Sequence, residues 1–157
     1  MALVLLHAVP AASAAGSCTL SSTGLALGAY QPLTFSGKRA LASIDVFSTA
    51  TIAVSCTAAA SYTISLGAGA QVGEGPTGTR YLANLNGGAS MLFNVYTEAN
   101  YSTVWGDGSV GSLLAGSLPT GGGSVAHTVY GKVPAGQTTL RAGSFSESLP
   151  MTIFYSP

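Results

Sequence analysis

Ser43-Ile44-Asp45-Val46-Phe47-Ser48-Thr49-Ala50-Thr51-Ile52-Ala53-Val54-Ser55-Cys56 decides the fold class. It is rich in β-branched and aromatic residues, and a period of two puts Ile52, Val54 and Cys56 on one face, which predicts a strand rather than a helix. The same period recurs downstream. Residues 61–66 set Tyr62, Ile64 and Leu66 together, and residues 149–155 set Leu149, Met151, Ile153 and Tyr155 together. Residues 90–97 alternate Met91, Phe93 and Val95 with Leu92, Asn94 and Tyr96, so both faces are partly apolar and the strand suits the middle of a sandwich. Residues 125–133 complete the set. Between these runs lie Gly67-Ala68-Gly69, Gly73-Glu74-Gly75-Pro76, Asn86-Gly87-Gly88, Gly106-Asp107-Gly108 and Gly121-Gly122-Gly123, turn signals that leave no window of helical length. The expected class is an all-β sandwich.

Composition limits the function. At 157 residues the chain is one domain's worth, with enough apolar content (47% hydrophobic) for one core. Only 6% of residues are charged and the net charge is zero, which excludes nucleic acid and anionic membrane surfaces as partners, since both select clustered Lys and Arg. High hydrophobicity with little charge also excludes disorder.

Residues 1–14 read as a signal peptide. Ala2 to Val9 is a short apolar run, Pro10 ends it, and Ala12-Ser13-Ala14 is the small-residue pattern of a cleavage site, with Ala15 the next choice. The run is too short for the ~20 residues of a membrane span, and its start lacks Lys and Arg. Residues 15–157 are then the mature domain. Export to an oxidising compartment favours a disulfide between the chain's two cysteines, Cys18 and Cys56.

Several ordered motifs carry a resemblance: Asn94-Val95-Tyr96-Thr97, Val104-Trp105-Gly106-Asp107-Gly108, Val129 through Gln137 (VYGKVPAGQ), and Ser144-Phe145-Ser146-Glu147-Ser148. With them the chain resembles the spore coat protein U family, whose domain is shared by pilin subunits of archaic chaperone–usher pili, and the resemblance runs from Cys18 to Tyr155. It implies an immunoglobulin-like β-sandwich, incomplete because its seventh strand is absent, with Cys18 and Cys56 joining the first two strands. An absent strand leaves an apolar groove and unpaired backbone groups. The expected partner-strand residues are Leu149, Met151, Ile153 and Tyr155 of the last strand. In the family a periplasmic chaperone first lends a strand and another pilin subunit then replaces it at an outer-membrane usher, a form of β-strand addition. The implied location is the periplasm in transit, then the cell surface.

Cleavage after Ala14 leaves only Ala15-Gly16-Ser17 ahead of Cys18, too little for a donor strand, so the chain is expected to accept a strand without giving one. Uncleaved, Leu3, Leu5 and Val9 would instead serve as a donor. A stand-alone secreted adhesive module that folds without a partner strand is the alternative of a different class.

Catalysis has little support. Asp45, Glu74, Glu98, Asp107 and Glu147 are scattered, the mature chain has one histidine, His127, and no Gly-x-Ser-x-Gly occurs. Gly73-Glu74-Gly75-Pro76-Thr77-Gly78 has the form G-x-G-x-x-G but no helix follows to receive a phosphate. Metal-ligand spacing is absent, so no cofactor is expected. Trp105 is read as structural rather than as a surface aromatic. Residues 111–118 read as a loop, with Leu113, Leu114 and Leu118 either an exposed adhesive patch or a lid on the core.

Overall fold

The computed structural model describes residues 16–32, 34–36, 39–41, 44–69 and 78–156. The expected leader with Leu3, Leu5 and Val9, and all but Gly78 of the glycine motif, lie outside the described residues. Eleven strands are defined within them: β1 (Cys18–Ser22), β2 (Thr34–Ser36), β3 (Arg39–Leu41), β4 (Val46–Cys56), β5 (Ala60–Leu66), β6 (Arg80–Asn84), β7 (Met91–Tyr96), β8 (Leu114–Leu118), β9 (Gly123–Val133), β10 (Phe145–Ser146) and β11 (Met151–Ser156). A six-stranded sheet runs β1-β4-β9-β7-β6-β10, a three-stranded sheet runs β11-β5-β8, and β2 pairs β3, all antiparallel. No helix occurs among the described residues.

The alternation read from sequence sets the core. Ile52, Val54 and Cys56 of β4 and Tyr62, Ile64 and Leu66 of β5 are all buried, and they meet Met91, Phe93 and Val95 of β7 and Val129 and Val133 of β9. β7 lies inside the large sheet, between β9 and β6. Cys18 and Cys56 are register partners of β1 and β4 and are disulfide-bonded.

The motifs behind the resemblance are braces. Trp105 is buried between the sheets, and its Nε1 donates to the Ile64 carbonyl (3.0 Å). A Cβ on Gly106 would collide with the Val110 carbonyl oxygen, so only glycine fits there. Asp107 accepts from the Val110 and Ser109 N–H groups and the Ser109 hydroxyl, which hold its carboxyl down at about 2. The Gln137 side chain both accepts from Leu92 N–H (2.6 Å) and donates to Leu92 O (2.9 Å), continuing the pairing at the side of β7. Asp45 accepts from Ala135 N–H and pairs with Lys132 at 2.8 Å; the Lys132 bond and then the Ala135 N–H hold its carboxyl below the usual range.

Residues 111–118 are not the loop expected. Leu114–Leu118 forms β8 against β5, Leu118 is buried in the core, Leu114 is half-buried and Leu113 alone is exposed. A Cβ on Gly116 would strike the Tyr62 hydroxyl, which fixes a glycine in the middle of this strand.

His127 is a packing residue with a polar bond. Its Nε2 lies 2.7 Å from the Tyr62 hydroxyl, joining β9 of one sheet to β5 of the other, and burial lowers the imidazole's pKa. The unfolded chain therefore binds the proton more readily, and stability is full above pH 6.5 and falls as pH drops toward the lower folded value. We expect urea midpoints to decline across that window and His127→Gln to flatten the decline. A further loss, from Asp107, begins only below 3.8.

Candidate functional site

The two sheets do not close along one side. β1 is an edge of the large sheet, and its continuation stays beside β4, with Thr23 N–H on Thr51 O (3.1 Å) and the Ser48 hydroxyl on Ala26 O (2.5 Å). Among the described residues β11 is an edge of the small sheet, paired with β5 only. A cavity of about 250 Å³ opens between these edges, lined by Ser22, Gly24, Leu25 and Leu27 from one and by Ser148, Leu149 and Met151 from the other. Its floor is core: Ile52, Phe93, Val95, Trp105 and Val129. A second cavity of about 790 Å³ shares Leu25, Leu27, Leu82 and Glu147 with the first and extends it past Tyr30, Val133 and Phe145. The result is one open apolar cleft that reaches the sandwich interior.

Among the described residues, the cleft leaves part of the core uncovered. Unpaired strand edges expose N–H and C=O groups that favour pairing with another strand. The cleft's side chains are half-buried (Leu25, Leu27, Leu149 and Met151), with apolar surface still in contact with water. The charged residues that line it are Glu147 and, in the larger cavity, Arg141; against the leucines and methionine of its walls, an extended segment with alternating apolar side chains has the complementary chemistry.

Of the four residues expected to meet a partner strand, Leu149 and Met151 line the cleft. Ile153 packs on the core, and Tyr155 is exposed at 43%; neither lines either cavity. The opposite wall was missed. Its sequence signal was Leu25-Ala26-Leu27 between Gly24 and Gly28, a period of two too short to stand out. Among the described residues no His, Cys, Asp or Glu cluster is suited to a metal ion.

The family model of the Spore Coat Protein U domain matches residues 3–152. The chain belongs to this family. Within it, Protein U of Myxococcus xanthus is 28% identical over 153 residues, covering 92% of this chain and 80% of that protein. The fold of this Spore Coat Protein U domain is also similar to a chain in the crystal structure of the CsuC–CsuE chaperone–tip adhesion subunit pre-assembly complex from archaic chaperone-usher Csu pili of Acinetobacter baumannii. The TM-score is 0.58 at 13% identity. The likeness covers 88% of this chain but 39% of that one, so this chain spans about two fifths of its solved neighbour.

Proposed function

We propose that this protein is an exported structural subunit of a cell-surface pilus or coat, assembled by the chaperone–usher route, and that the cleft is where a partner strand docks. The observation that carries this reading is the open cleft beside the edge of β11 that no other described strand covers, with the core as its floor. The family membership and the Csu fold likeness support it. A periplasmic chaperone would fill the cleft first, and a strand from another subunit would then replace it at an outer-membrane usher. Backbone pairing along β11 supplies affinity, and alternate side chains entering the cleft supply specificity. Each large apolar side chain docked there contributes about 1.5–3 kcal/mol before ordering costs. No step in this role requires catalysis or a cofactor.

Residues 1–14 act in this proposal as the leader, cut after Ala14. One observation favours a second reading: the family match begins at residue 3, ahead of that site. If those residues belong to the domain, Leu3, Leu5 and Val9 are the donor segment for the next subunit. The N-terminal residue of the surface protein separates the two.

The cleft is tested by contrast along one strand. Leu149→Asp and Met151→Asp, on the cleft wall, are expected to reduce partner capture in pull-downs at least about tenfold, a figure that corresponds to one lost apolar contact. Phe154→Asp, on the exposed face of β11, should leave it unchanged. Equal effects from all three would refute cleft docking.

A further inference from the structure

The outer face of the large sheet, away from the cleft, carries an aromatic cluster that the strand-docking role does not use. Phe47 is 51% exposed, and Tyr96 and Tyr130 are register partners on neighbouring strands. Tyr101 reaches over from the loop of residues 97–103. Its ring centroid lies 4.7 Å from Phe47, 5.5 Å from Tyr96 and 6.2 Å from Tyr130. Among the described non-glycine residues it alone has a positive φ, 57°, a region that costs an L-residue energy and is occupied where surroundings impose it. The loop is fastened by Thr97 N–H on Thr103 O and Tyr101 N–H on Glu98 O, so the tyrosine is held in place over the sheet.

Two features define what this face complements. The hydroxyls of Tyr96, Tyr101 and Tyr130 make no hydrogen bond within the described residues, and none is a buried orphan, so they face solvent. The cation at this face, Lys132, 5.7 Å from the Phe47 ring centroid, is already paired with Asp45, and the exposed carboxylate of Glu98, in the loop that carries Tyr101, adds a negative charge beside it. Beyond the rings, the outward positions of β4 and β9 continue as Thr49, Thr51, Ala53 and Ser55 beside Thr128, Ala126 and Ser124. From Phe47 to Ser55 this row runs about 26 Å at ~3.3 Å per residue.

We propose that this face binds an uncharged polysaccharide, the rings stacking on the C–H faces of pyranose units while the tyrosine and threonine hydroxyls bond sugar hydroxyls. Tyrosine suits such a ligand because it presents a rigid apolar body and a polar tip at low entropic cost. The Glu98 carboxylate, and the pairing of Lys132 with Asp45, select against acidic glycans and phosphates. This role is independent of the cleft, which opens on the other face of the same sheet.

The test is calorimetric titration of the full chain with cellohexaose, chitohexaose and maltohexaose. At least one should bind with a Kd of about 0.1–1 mM, the range of a few stacked contacts. Phe47→Ser and Tyr101→Gly should each weaken it about tenfold or more. Glycine adopts the positive φ freely, so Tyr101→Gly is expected to fold, as the near-ultraviolet circular dichroism of buried Trp105 would report. Replacing Tyr96, Tyr101 and Tyr130 together by Phe keeps the rings and should still weaken binding. Failure of all three sugars to bind, binding indifferent to these substitutions, or occupation of the face by a second copy of the chain would overturn the proposal.

Discussion

Arg80→Met is expected to lower stability by about 3–5 kcal/mol, the scale for removing one side of a buried charged network. Arg80 is fully buried. Its Nε donates to Gly67 O (3.1 Å), Nη1 to Asn94 Oδ1 (2.6 Å), and Nη2 to Leu66 O (2.9 Å) and Trp105 O (3.0 Å). Those acceptors belong to the end of β5 in the small sheet, to β7 in the large one, and to the 104–112 segment, so one guanidinium ties three parts of the sandwich together. Methionine fills much of the volume but leaves buried acceptors unpaired, each costing about 1–3 kcal/mol. Arg80→Lys should lose nearly as much, because an ammonium cannot serve acceptors spread around a planar fork. With total stabilities of domains at about 5–15 kcal/mol, either variant is left marginal. Urea denaturation measures the effect, and a loss below about 1 kcal/mol would show that the network adds no net stability.

The second large effect is on the disulfide. Replacing Cys18 and Cys56 by Ser is expected to cost about 4 kcal/mol, the chain-entropy value for a closed loop of this size, here a separation of 38 residues. The structure adds a local consequence. β1 is an edge strand whose partner within the sheet is β4, and its continuation supplies Leu25 and Leu27 to the cleft. Without the bridge, β1 should fray and take one wall of the site with it. Reduced protein should thus show both a lower unfolding midpoint and faster amide exchange across residues 18–22, with weaker partner capture. An unchanged midpoint on reduction would contradict this.

Much of the scaffold was legible because its burial follows a simple period. β4, β5 and β9 alternate over most of their length and β7 and β11 over part of theirs, and each formed within a few residues of the expected bounds. The resemblance to spore coat protein U was correct and placed the disulfide. What escaped has physical reasons. β6 and β10 are too short to establish a period, and the pairing that makes them strands comes from elsewhere in the chain. β8 was read as a loop because Leu113 and Leu114 are adjacent and small residues fill the positions between Leu114 and Leu118. Arg80 follows a glycine-rich stretch, where an arginine signals solvent, and its acceptors converge only in the folded sandwich. The cleft was half-visible: Leu149 and Met151 lie on it, whereas Ile153 and Tyr155 share their face but sit beyond its end.

The central claim is that this chain is finished by a strand from outside itself. It is tested most directly by expressing the full precursor with its chaperone in a bacterial periplasm, purifying through a C-terminal tag, and determining by native mass spectrometry what accompanies it. The account predicts about one partner chain per subunit, retained by the wild-type protein and lost from Leu149→Asp. A folded monomer with no partner, as stable as an ordinary domain, would contradict it and establish a self-sufficient surface module.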